Sequence, residues 1–169
     1  RLSLVGSEMC IRDRSMVGRT LGLFDDIRPL AHSLTAARSA LYLGRDVLFP
    51  VALEGALKLK ELSYIHAEGF ASGEMKHGPI ALIEEGLPVV ALLAADEVMG
   101  KAASNLQEAA ARGGRIILIT EERAASTVAF AESVITVPNV DPLLAPVLLT
   151  VPVQILSLIH ISEPTRLRR

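Results

Sequence analysis

Glu54, Lys58 and Glu61 stand at i, i+4 and i+7 within the run Ala52-Leu53-Glu54-Gly55-Ala56-Leu57-Lys58-Leu59-Lys60-Glu61-Leu62. Most of these residues favour helix, and at about 100° per residue the three charged groups share one narrow stripe. A lone stripe of this kind is a solvated charge ladder worth a few tenths of a kcal/mol per pair. This one runs directly into a second charged segment, His66-Ala-Glu-Gly-Phe-Ala-Ser-Gly-Glu-Met-Lys-His-Gly-Pro79. Three glycines and a proline mark that segment as a loop, with more charge than a connector needs. Within it Glu74, Lys76 and His77 precede Gly78-Pro79. A histidine titrates near neutrality and can both give and accept a proton, while a carboxylate held close to a carbon acid can move one. Glu54, Lys58 and Glu61 on the helix and Glu74, Lys76 and His77 in the loop are therefore the groups whose types could carry chemistry. His66 and Glu68 fit a structural role equally well, and His32 and His160 have no such group around them.

No HExxH and no compact His/Asp/Glu cluster points to a metal, so no metal and no cofactor is expected. The turn Gly44-Arg-Asp-Val-Leu-Phe-Pro50 has neither GxGxxG nor P-loop spacing and offers no Ser or Thr, which argues against a nucleotide.

These groups need a scaffold. The pattern predicts strands at 39–44, 88–93, 115–120 and 133–137, all apolar without clean alternation. They are separated by helices at 51–64, 97–112, 123–131 and 142–156, with a short one over Ile80–Glu85. A leading helix over 21–39 places Leu23, Ile27, Leu30, Leu34 and Ala37 on one side, with a break expected near Pro29. Pro50 suits the first position of its helix, and Gly113-Gly114 suits a helix stop. Apolar strands alternating with helices belong to an α/β fold whose parallel sheet is covered on both faces. In such sheets ligands bind beyond the carboxyl ends of the strands, so the turn after Gly44 is the first place to look. The final helix is apolar almost all round and expects a partner.

The chain has 169 residues, 50% hydrophobic and 21% charged, which fits one globular domain. A net charge of -2, no Trp and 4% aromatics argue against nucleic acid. No segment reads as membrane-spanning. The single cysteine, Cys10, excludes an internal disulfide, and a reducing, cytoplasmic setting is expected. Residues 1–15 and 157–169 lack the periodicity of the middle and resemble translated sequencing-adapter read-through. They are set aside as an artefactual leader and tail. The remaining 16–156 holds 11 basic and 16 acidic residues. Residues 16–30 are expected to be a linker or helix from a preceding region, and 31–156 one domain, incomplete at its carboxyl side.

From Phe49 to Leu92 the sequence FPVALEGALKLKELSYIHAEGFASGEMKHGPIALIEEGLPVVAL is similar to the isomerising half of the glutamine–fructose-6-phosphate aminotransferases. The likeness continues through ARGGRIILIT and PLLAPVLLTVPVQIL, covering about 31–156. It implies the second sugar-isomerase (SIS) domain of that family, a flavodoxin-like three-layer sandwich around a parallel sheet. It implies fructose 6-phosphate and glucosamine 6-phosphate as ligands. Glu61 would shuttle a proton between C1 and C2, Lys58 would support it, and His77 would open the sugar ring across a dimer interface. A desolvated carboxylate suits the first task.

The family's Schiff-base lysine tail, its first SIS domain with Ser/Thr-rich phosphate loops, and its amino-terminal glutaminase cysteine have no counterpart here. The chain as written is therefore expected to be inactive alone. Two alternatives remain: another SIS aminosugar isomerase or deaminase, and a SIS domain that binds a phosphosugar to regulate a partner.

Overall fold

In the computed structural model, residues 14–162 are described, with side chains to 158. The expectations at Cys10 and His160 lie outside the described residues or side chains. Residues 14–21 form helix α1, and a turn at 22–23 leads into α2 (Phe24–Leu34). The core alternates β1 (Ser39–Gly44), α3 (Phe49–Ser63), β2 (His66–Ala71), β3 (Pro88–Leu93), α4 (Met99–Ala111), β4 (Arg115–Glu121), β5 (Ser133–Val137) and α5 (Ala145–Ser162). The five strands are all parallel, in the order β2-β1-β3-β4-β5. This is the flavodoxin-like doubly wound order, and its direction reverses between β1 and β3.

The strands are apolar because both faces are covered, and their period-2 geometry divides the side chains. Ala40, Tyr42, Val90, Leu92, Ile117 and Ile119 point into one core with Ile27 and Leu34 of α2, Leu59 of α3 and Leu149 and Val153 of α5. Leu41, Leu43, Val89, Ala91, Ile116 and Leu118 point into the other with Leu106 of α4 and Met75. Three layers result, α2, α3 and α5 on one side and α4 with short 3-10 turns on the other.

Several local expectations are corrected. Pro29 does not break its helix; it lies inside α2, and the interruption is at 22–23 instead. Pro29 and Asp25, whose carbonyl loses its partner, both face solvent, while Ile27, Leu30, Ala31 and Leu34 are buried. The freed carbonyl is on the exposed side, open to water, and the buried stripe holds the helix together.

The expected loop over 66–79 begins with a strand, β2, paired residue for residue with β1 from Ser39↔His66 to Gly44↔Ala71. Its side chains are mostly half-buried, as at a sheet edge, so the usual apolar signal is missing. The glycine that suggested a loop has another role. A Cβ on Gly69 would lie 2.9 Å from the Ala52 oxygen and the Leu53 Cα, so it lets β2 pass close under α3.

The short helices expected over 80–85 and 123–131 are 3-10 turns at Pro79–Leu82 and Glu122–Val128. The last helix starts at Ala145 and continues past Leu156 to Ser162. Leu156 and Ser157 are buried, so the helix continues where it still has a core to cover. No helix among the described residues is long and apolar enough to cross a membrane.

Candidate functional site

α3 descends from the carboxyl edge of the sheet, where β1 ends, to the amino edge, where β2 begins. Pro50 sits in its first turn, and the helix closes at Tyr64, whose left-handed φ of 58° turns the chain into β2. Val51, Ala52, Gly55, Ala56 and Leu59 are buried against the sheet and α5. The opposite side is uncovered: Leu53, Leu57 and Tyr64 are 45%, 43% and 79% exposed.

The charged stripe runs beside these apolar residues. Lys58 Nζ donates a 2.8 Å hydrogen bond to Glu61 Oε2 and lies 3.8 Å from Glu54 Oε1. The Glu61 hydrogen bond and charge, aided by Glu54, hold the Lys58 ammonium above the ordinary lysine range against a small opposing desolvation. The Glu61 side chain is half exposed, so the described residues leave it open to water. This geometry can hold a carboxylate in one orientation and fix its charge, but one wall of a reaction site is missing.

His77 lies elsewhere. It ends the turn Ser72–His77 after β2, at the carboxyl edge. That turn is anchored by Met75, fully buried in the second core, and by Lys76, whose Nζ is 2.8 Å from Glu108 Oε1 of α4. The imidazole is held outward, three-quarters exposed, with Glu74 Oε2 at 3.9 Å. Gly78 follows with φ 149°, a conformation that requires glycine, and sends the chain back toward Pro79. Glu61 sits in the last turn before β2 and His77 six residues beyond its end. The six-residue strand, at about 3.3 Å per residue, separates them by well over 10 Å. The structure thus joins Lys58 to Glu61 and does not bring His77 to them within one chain.

His66 is set apart from this cluster. His66 Nε2 lies 3.4 Å from Glu68 Oε1 on the exposed edge strand. Among the described residues no group of three His, Cys, Asp or Glu could hold a metal. A cleft of about 260 Å³ opens at the amino edge among Ser33, Arg38, Ser39, Glu84 and Arg115, and contains none of the three candidates.

Two charged groups escaped the sequence reading. Glu121 ends β4 with its side chain fully buried; it accepts hydrogen bonds from the Ala95 and Val140 amides (2.9 and 3.2 Å) and from Arg123 Nη2 (2.8 Å). A charge closing the apolar run Arg115-Ile-Ile-Leu-Ile-Thr-Glu121 was the available signal. Arg45, in the turn already marked as the first place to look, lies against Gly73 of the next turn.

The SIS domain profile matches residues 33–160. A glutamine–fructose-6-phosphate aminotransferase (isomerizing) of Agrobacterium fabrum is 54% identical over 132 residues, which are 78% of this chain and 22% of that protein. The chain therefore spans about a fifth of the curated relatives it matches. The solved C-terminal domain of the glucosamine-fructose-6-phosphate aminotransferase of Francisella tularensis is 41% identical; it covers 92% of this chain and 43% of its own, with a TM-score of 0.86. The sugar isomerase domain of an RpiR transcription factor from Sphaerobacter thermophilus superposes with a TM-score of 0.75 over 95% of this chain and 92% of its own; at 16% identity it shares the fold alone. With the strand order, both cores and this coverage in agreement, the chain belongs to the SIS domain family.

Proposed function

We propose that this chain is the second SIS domain of a glutamine–fructose-6-phosphate aminotransferase and supplies the carboxylate that isomerises the sugar phosphate. The observation that carries this reading is the Glu54–Lys58–Glu61 cluster beside a helix face that the described residues leave open. Its similarity to the isomerizing aminotransferases, over a fifth of their length, supports it.

In this reading Glu61 takes the proton from C1 or C2 of the open-chain ketose and returns it to the neighbouring carbon. Lys58 holds the Glu61 carboxylate in one orientation and stabilises negative charge that develops on the substrate. His77 opens the sugar ring in the site of a second copy, which is consistent with its outward pose at the opposite sheet edge. A dimer closes the uncovered wall, excludes water and strengthens each electrostatic contact. The whole enzyme works in amino-sugar synthesis in the cytoplasm, with the first SIS domain holding the phosphate and a glutaminase domain supplying ammonia.

The test is Glu61→Gln in the full-length enzyme that carries this domain, with fructose 6-phosphate isomerisation measured directly. Loss of general acid–base catalysis costs about 10²–10⁴-fold in rate. A retained rate removes Glu61 from the proton shuttle.

A further inference from the structure

The turn Ser72–His77 has little of its own to keep it in place. It is a 3-10 run of six residues, longer than such runs usually are, with Gly73 inside it and Gly78 directly after. Gly73, Glu74, Lys76, His77 and Gly78 are all exposed. The ion-pair partner of His77 among the described residues is Glu74, whose Oε2 is 3.9 Å from Nε2, too far for a hydrogen bond. Where the imidazole sits is therefore decided by what holds the backbone of the turn.

Helix α4 holds it. That helix is a firm frame, since Ala102, Leu106 and Ala109 are buried. Met75 is fully buried in the same core as Leu106. Next to it in sequence, Lys76 makes its ion pair at 2.8 Å with Glu108 Oε1. On the far side of Gly78, Arg112 Nη1 donates to the Ile80 carbonyl at 3.4 Å. Glu108 and Arg112 are four residues apart, about one turn of helix, and so share a face of α4. They reach the chain on either side of His77 and Gly78. Glu108 makes the shorter contact, through the residue adjacent to His77. A half-exposed ion pair adds little to stability. Its consequence is geometric, because it removes freedom from the turn that carries the imidazole.

We propose that Glu108 of α4 is a positioning residue, which through Lys76 fixes the turn that presents His77 to the site of a second copy. The inference rests on the ring-opening role given to His77 above. Glu108 itself touches no reacting atom. Misplacing a reacting group by about 1 Å costs up to about 10²-fold in rate, so a strut of this kind matters to the reaction more than to the fold.

The test compares two substrates in the full-length enzyme that carries this domain. Fructose 6-phosphate is mostly a closed ring. Its 5-deoxy analogue lacks the hydroxyl that closes the ring and stays open-chain. Glu108→Gln lowers kcat for isomerisation of fructose 6-phosphate about tenfold and leaves the 5-deoxy analogue unchanged, while thermal unfolding matches the wild type. Lys76→Met gives the same pattern, and adding Glu108→Gln to it causes no further loss, as expected where one residue acts only through the other. Equal losses on both substrates, no loss on either, or losses that add in the double variant overturn the positioning role. His77→Asn separates this result from the reading beneath it. If that variant handles the two substrates alike, ring opening by His77 is overturned. If it discriminates between them and Glu108→Gln does not, the positioning role alone is overturned.

Discussion

Glu121 and Glu61 are the same residue type in opposite circumstances. Glu121 has no exposed side-chain area and is enclosed by two backbone amides and a guanidinium, so it stitches together the turns after β3, β4 and β5. Glu61 is half exposed and answers to one ammonium on a helix face left open by the fold. A carboxylate whose hydrogen bonds are all met inside the chain is committed to structure. One whose surroundings are unfinished remains available to a substrate and a second surface. The contrast extends to the elements around them, since β3 is buried at every position whereas the outer side of α3 exposes Leu53, Leu57 and Tyr64.

The largest stability effect should therefore fall on the closed region. Glu121→Ala strands the Ala95 and Val140 amides and releases the part-exposed Arg123, and costs about 2–3 kcal/mol. Urea unfolding measures it, and a loss below 1 kcal/mol would show that water replaces the carboxylate. Gly55 tests packing between the open helix and the core. A Cβ there would lie 2.6 Å from Val153 Cγ1 and 2.7 Å from Tyr42 Cε1, so Gly55→Ala costs about 1–3 kcal/mol through overpacking. Tyr42 beside it has a buried hydroxyl without a partner, and burial pushes its phenol pKa well up. Tyr42→Phe keeps the ring and removes the unmet group, so stability is unchanged or rises by about 1 kcal/mol. A clear loss would reveal a water bonded to that hydroxyl.

The smallest effect belongs to the open cluster. The folded state raises the Lys58 pKa above the ordinary 10.5, so its stabilising contribution is complete below that value. It is lost as pH rises through the raised value. Thermal unfolding of the wild type and Lys58→Met should differ slightly at pH 9 and converge in strong alkali. A difference that grows with pH would contradict the pairing with Glu61.

The sequence made the layered fold legible wherever burial was symmetric. Pro88-Val-Val-Ala-Leu-Leu93 is a strand in the reading and in the structure because both faces need apolar side chains. β2 was hidden because an edge strand is held by backbone pairing to β1, and His66, Glu68 and Gly69 follow no apolar period. Pro29 misled because its cost depends on whether the freed carbonyl meets water, which spacing does not encode. At the site, i, i+4, i+7 spacing was enough to place Lys58 beside Glu61, a local relation within one helix. The distance from Glu61 to His77 was not legible, since it depends on the missed strand running between them. Arg45 against Gly73 was equally hidden, being a contact between two turns that only the parallel pairing of β1 and β2 brings together.

The central claim is that Glu61 and His77 of one chain serve different sites. It is tested most directly by mixing full-length enzyme carrying Glu61→Gln with enzyme carrying His77→Asn, after each alone is shown inactive in fructose 6-phosphate isomerisation. Random reassortment of a two-fold dimer places one intact pair in each hybrid, and about a quarter of wild-type activity returns. Activity that stays at the level of the separate variants, with hybrid dimers verified by mass, would contradict the account.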